Sequence, residues 1–162
     1  MLTDTNLQIG HRLSHTDEPR HPANKWLLAY WQARRGEDGM VARADMLFSD
    51  LKSLLPGFFV VEPVEEASDF VFRLAGTDIE ERLDMRLTGR RFSECYAPHA
   101  GPIDFYAEVL RQVRPRTLYG QFLGRGVEHA DFESVHLPVR SGAGGAQICG
   151  AMFDMDRMAY FR

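Results

Sequence analysis

Apolar positions recur at helical spacing in the early part of the chain and alternate with period two in its last third. From about Asn24 to Arg35, Trp26, Leu27, Tyr30, Trp31 and Arg34 fall on one face at i, i+4 and i+5. Asn24 is a fair N-cap with Pro22 before it, Arg34 and Arg35 suit the negative end of the helix dipole, and Gly36 ends the element. Two Trp and a Tyr on one short helix make an apolar face that either covers the main core or meets a second copy of the chain. A second helix is predicted over about Asp45–Leu55, with Leu47, Leu51, Leu54 and Leu55 on one side and Pro56-Gly57 as its stop. Phe58–Val61 then reads as a strand, Glu62–Ser68 as a turn and Asp69–Ala75 as a second strand. In that strand Phe70, Phe72 and Leu74 alternate with Val71, Arg73 and Ala75, so the pair forms an antiparallel hairpin.

Gly76 breaks the hairpin's second strand, and Thr77-Asp78-Ile79-Glu80 reads as a capping box for a third helix with Ile79 and Leu83 inward. The stretch Arg86–Ala100 is irregular. Gly101-Pro102 opens a longer helix with Ile103, Tyr106, Val109, Leu110 and Val113 on one side. Three strands follow: Thr117–Leu123, Asp131–Arg140, and Ala146–Asp154, separated by glycine-bearing turns at Gly124-Arg125-Gly126 and Ser141–Gly145. The last strand is apolar on both sides, as a central strand covered on both faces would be. Two strands, a helical insertion and a three-strand meander predict an α+β fold. Residues 1–23 read as a flexible arm, 24–156 as one domain with an N-terminal helical extension, and 157–162 as a tail.

Composition narrows the function. The chain has 162 residues, and 44% apolar against 26% charged residues is ordinary for a domain that buries a real core. A net charge of −4 argues against a nucleic-acid or anionic-membrane surface, since either needs a basic excess. Cys95 and Cys149 are the only cysteines, with no metal or redox spacing, and no apolar stretch is long enough to span a membrane. The expected compartment is the cytoplasm. His11, His15 and His21 in the arm are irregularly spaced and lack thiol companions, which disfavours a metal site.

A family resemblance enters on an ordered set of short motifs. They are Tyr30-Trp31 and Arg34-Arg35-Gly36, Leu54-Leu55-Pro56, Phe72-Arg73-Leu74-Ala75-Gly76-Thr77, Leu87-Thr88-Gly89 and Leu137-Pro138. Over roughly residues 24–156 the chain resembles the PAS domain, and more narrowly a subfamily of small, often stand-alone bacterial PAS proteins known mainly from alphaproteobacteria. The resemblance implies a five-stranded antiparallel sheet with helices on one face, plus the N-terminal helix, and with the sequence-first and sequence-last strands adjacent at the centre. It also implies a sensory and signalling module that binds a small molecule, haem or flavin between sheet and helices, or binds nothing and mediates dimers. Fold alone does not decide among these, so the cofactor stays open.

Within that frame Phe59, Phe72, Arg73, Leu74, Tyr106, Tyr119, His136, Cys149 and Met152 are the expected pocket residues for a small apolar or aromatic ligand. Arg73 either reaches the ligand or pairs with an acid such as Asp78 or Glu80; a solvent-facing strand arginine is the plain alternative. Cys95 lies three positions late for a flavin photoreceptor cysteine and lacks the Asn and Gln of that motif. His99 precedes the long helix that supplies the haem ligand in some relatives, but Pro98 and Gly101-Pro102 place it in a loop. Asp154-Met155-Asp156 resembles a solvated strand end more than a cation site. No G-x-S-x-G, phosphate loop or H-E-x-x-H is present, so a non-enzymatic module is expected. The rival is a small cone-like α+β hydrolase or isomerase with an Asp–His pair in its cavity. A homodimer through Trp26, Leu27, Tyr30 and Trp31 is expected, with output passed to a downstream signalling protein.

Overall fold

The long apolar strands set the architecture, and the computed structural model of the protein describes residues 8–9, 14–95, 101–123 and 130–155. In chain order the elements are β1 (Gln8–Ile9), β2 (Ser14–Thr16), α1 (Pro22–Gln32), β3 (Val41–Ala42) and a 3-10 turn (Arg43–Asp45). Then come α2 (Phe48–Leu51), a 3-10 segment (Lys52–Gly57), β4 (Phe58–Val64), β5 (Asp69–Ala75), α3 (Thr77–Leu83) and α4 (Phe92–Cys95). The chain continues with α5 (Pro102–Gln112), β6 (Arg116–Leu123), β7 (Ala130–Arg140) and β8 (Ala146–Asp154).

Five long antiparallel strands lie in the order β6-β7-β8-β4-β5, so the first and last of them, β4 and β8, sit side by side in the middle. This is the topology that the resemblance implied. Three short strands extend it. β3 runs parallel to β7 where β6 has ended, and β1 and β2 pair along the outer edge of β6. Part of the expected arm is therefore sheet, because β6 offers a row of open backbone groups that Ser14–Thr16 can satisfy.

Local chemistry moved several boundaries. His21, not Asn24, caps α1: its Nδ1 accepts from the Ala23 N–H at 3.1 Å, and Asn24 sits inside the helix with its amide turned to the sheet. The second helix is one short turn of α-helix followed by 3-10 geometry, since Leu47 is extended and Pro56 cannot supply an N–H. No capping box forms at α3. Gly76 is the N-cap, and Glu80 instead accepts from the Leu87 N–H at 2.6 Å, which ties down the loop beyond the helix.

The strand pattern hides one irregularity. β4 and β5 pair Val60 with Leu74 and Val61 with Phe72, so Arg73 is an extra, bulged residue. Alternation reverses there: Phe70 and Phe72 face the helices α3, α4 and α5, whereas Leu74 packs on the opposite face.

Both faces of the sheet are covered. The inner face buries Phe59, Val61, Phe70, Phe72 and Ile148 under α3–α5, against Phe92 of α4 and Tyr106 of α5. The outer face buries Phe58, Val60, Val135, Leu137, Val139, Cys149 and Ala151 under α1 and α2. This cover uses most of the expected dimer face. Leu27 and Trp31 are fully buried and Tyr30 nearly so, leaving Trp26, 46% exposed, as the outward member of the four. Trp31 donates its indole N–H to the Pro138 carbonyl at 3.0 Å, and Tyr30 donates to Asp50 at 2.6 Å. The physical reason is the apolar outer face of β7 and β8, where burying each large side chain contributes about 1.5–3 kcal/mol.

Candidate functional site

One cross-strand row organises the inner face. Register places Phe59 of β4 beside Gly150 of β8, Gly150 beside His136 of β7, and His136 beside Arg116 of β6. A Cβ on Gly150 would collide with the Val135 carbonyl and the Phe59 ring. The missing side chain is what lets the Phe59 and His136 rings lean together, with centroids 5.5 Å apart. Helix α5 closes the row from above: Tyr106 and Phe105 both meet the imidazole edge-on at 4.8 Å.

His136 is 1% exposed and carries three polar contacts. Its Nδ1 lies 3.3 Å from the Arg116 carbonyl, which can only accept, so Nδ1 bears the proton. Nε2 is then the acceptor, and the Tyr106 hydroxyl at 3.1 Å and the Ser134 hydroxyl at 3.3 Å point donors at it. Burial pushes the imidazole pKa down to about 3, against a smaller opposing effect of the Arg116 carbonyl. The trio is therefore a neutral polar island in an aromatic chamber of Phe59, Phe70, Phe72, Phe92 and Tyr106.

The sign of the pH effect follows. An unfolded His136 titrates near its ordinary 6.5 and the folded one near 3, so the unfolded state alone takes up a proton in between. The stabilisation is complete above about pH 6.5 and is lost as pH falls, by about 1.4 kcal/mol per pH unit. His21, lowered chiefly by burial with Glu133 opposing, acts in the same direction. Urea denaturation at pH 7, 6 and 5 is expected to show a markedly flatter stability profile in His136→Phe than in the wild type. Equal slopes would mean the imidazole is already hydrated or protonated in the fold.

A groove of about 480 Å³ runs between α5 and β6. Phe105, Val109 and Leu118 form its apolar floor, and Asp104, Glu108, Gln112 and Arg116 its rim. Phe105 lines the groove and meets the His136 ring edge-on, and Arg116 on the rim accepts from His136 Nδ1 through its carbonyl, so these two residues join the groove to the polar trio.

The expected pocket residues divide between the two faces. Phe59, Phe72, Tyr106, His136 and Met152 come together on the inner face. Leu74 and Cys149 lie in the outer core, and Tyr119 sends its hydroxyl to Glu133. Arg73 is a solvent-side residue, exposed at the bulge and paired with Glu62 rather than Asp78 or Glu80. Both cysteines are fully buried, with thiol pKa values raised by burial to about 11 for Cys95 and about 12 for Cys149. His99 and Asp156 lie outside the described residues. Asp154 pairs with Arg82 of α3.

Sequence reasoning missed Ser134, Phe105, Gly150 and Glu133. Glu133 is fully buried on the outer face, yet its carboxylate accepts from the Arg20 and His21 N–H groups, the Asn24 amide and the Tyr119 hydroxyl, at 2.6–3.1 Å. Burial and the bond to Glu133 push the Tyr119 phenol up to about 12. A carboxylate among the apolar neighbours of a strand was the available signal.

Among the described residues no cluster of His, Cys, Asp and Glu could hold a metal ion, and no helix is long and apolar enough to cross a membrane. No curated protein matches the chain. The family model of the PAS domain matches residues 19–153, which spans all five long strands, the helices between them and α1. By that match and by the central β4–β8 pairing the chain belongs to the PAS domain family, a sensory and signalling module.

Proposed function

We propose that this PAS domain senses a small aromatic or apolar molecule carrying one hydrogen-bonding group, through the α5–β6 groove. The observation that carries the reading is the position of one side chain. Phe105 lines a groove large enough for such a molecule and packs directly on His136, one of three polar groups that already share one hydrogen-bonding arrangement. Such sites are mostly apolar with a few convergent polar groups. A ligand hydroxyl or N–H reaching the trio would compete with Tyr106 for the His136 lone pair. Tyr106 belongs to α5, so the exchange would shift that helix against the sheet and give binding a conformational readout. An imidazole with a pKa of about 3 is a poor general base near neutrality, which favours recognition over proton-transfer chemistry.

Indole is a suitable probe. Isothermal titration is expected to show tighter binding to Phe105→Ala, by about tenfold, because the truncated side chain leaves an apolar space that a planar ring fills. Tyr106→Phe, which deletes the hydroxyl and keeps the ring, is expected to alter the affinity in the same assay. Indifference to both substitutions would place the ligand elsewhere.

A further inference from the structure

We propose that the surface formed by Trp26, Leu47 and Phe48 docks an acidic amphipathic helix of a partner protein. Among the described residues these are the large hydrophobic side chains left exposed, at 46%, 48% and 49%, and they converge on one place. Tyr30 joins them. Trp26 stacks on its ring at 5.0 Å, and its hydroxyl accepts from the Leu47 N–H at 3.2 Å while donating to Asp50. Phe48, next along the chain, is held edge-on against the buried Phe58 at 6.4 Å. The patch is thus built on fixed partners, which lowers the ordering cost of docking. Exposed Ala29 and Ala33 continue the Trp26 side of α1, and their small side chains let another helix approach closely.

Charge selects the occupant. In a chain of net charge −4, the segment from Pro22 to Arg35 carries Lys25, Arg34 and Arg35 and no carboxylate. The Arg34 guanidinium lies 3.5 Å over the Tyr30 ring and that of Arg43 lies 4.8 Å over the Phe48 ring, so cations edge the apolar surface. Two acids lie on this side, exposed Asp45, whose carbonyl is 3.5 Å from the Tyr30 hydroxyl, and Asp50, which is engaged by Tyr30 and lies 4.0 Å from Arg34; Lys25, Arg34, Arg35 and Arg43 outnumber them. Two copies packed α1 on α1 would oppose like charges with no acid on either helix to offset them. A partner helix with carboxylates beside its apolar stripe meets this rim favourably. An anionic bilayer would attract the same cations but must also face the chain's overall negative charge. This surface lies on the opposite side of the sheet from His136 and does not depend on the ligand reading.

The test uses the intact protein and two short synthetic helices with the same apolar stripe, one otherwise rich in Glu and one rich in Lys. Trp26 reports directly, because Trp31 is fully buried in the free protein. The Glu peptide is expected to shield Trp26 from acrylamide quenching. Phe48→Ser and Arg43→Glu are each expected to weaken its binding by about tenfold, as is raising the salt to about 1 M. Phe48 is exposed and Arg43 half-buried, and an unchanged circular dichroism spectrum confirms that the variants fold. Equal binding of the Lys peptide, or none of the Glu peptide, overturns the proposal. So does self-association that Phe48→Ser abolishes, which assigns the face to a second copy. Shielding of Trp26 by phosphatidylserine vesicles, without shielding by the Glu peptide, assigns it to a membrane.

Discussion

Glu133→Ala is expected to lower the unfolding free energy by about 4 kcal/mol, because removing one buried acceptor leaves several donors without a partner at about 1 kcal/mol or more each. Those donors are the Arg20 and His21 amides, the Asn24 side chain and the Tyr119 hydroxyl. Folded domains of this size are stable by only about 5–15 kcal/mol, so the variant is expected to be marginal. The loss is also local. The carboxylate holds the first residues of α1 onto β7, and hydrogen exchange at Arg20, His21 and Asn24 is expected to accelerate more than exchange in β4 or β8. Urea denaturation measures the global effect and exchange the local one. Unchanged protection at Arg20 and His21 would show that α1 is held by its apolar face alone. Glu133→Gln keeps one acceptor oxygen and is expected to cost about half as much.

Gly150→Ala carries the second large effect, at the high end of the 1–3 kcal/mol typical of overpacking and beyond it if the ladder does not yield. The added methyl meets a backbone carbonyl, that of Val135, and the tip of the Phe59 ring. Phe59 can rotate, but the carbonyl is fixed between β7 and β8, which pair on both sides of this position. Relief requires the two central strands to part, and that displaces His136, the residue paired with Gly150. Thermal denaturation is expected to show a drop of several degrees. Loss of the Tyr106–His136 contact at 3.1 Å is expected to appear as a change in the His136 ring resonances. A variant as stable as the wild type would mean the row is looser than the geometry requires.

The strands of the last third were legible because alternation is a backbone property: β8 has the bounds that its apolar run predicts. The adjacency of β4 and β8 came from the family resemblance, not from any residue pattern, since pairing partners far apart in sequence leave no local signal. Four of the nine candidate pocket residues lie away from the inner face, for two identifiable reasons. The bulge at Arg73 reversed the facing of Leu74, and a bulge cannot be seen in a regular Phe-Arg-Leu run. Tyr119 and Cys149 sit on strands whose two faces are both buried, so apolarity alone could not say which face was which. The α1 aromatics were read as a face needing a cover; Tyr30 and Trp31 are buried on the chain's own sheet while Trp26 is exposed, and that choice depended on tertiary structure. The role of buried Glu133 was hard to read because three of its four partners, Arg20, His21 and Asn24, lie more than a hundred residues away in sequence.

The most direct test of the ligand reading is nuclear magnetic resonance of protein labelled at histidine nitrogens and at Val and Leu methyl groups, titrated with indole, phenol and benzamide. The account predicts that at least one of these compounds shifts the His136 Nε2 resonance together with the methyls of Val109 and Leu118, which floor the groove, and leaves the outer-face methyls of Val135 and Leu137 unmoved. Shifts confined to the outer face, or none at Nε2 with any of the three at saturating concentration, would contradict it.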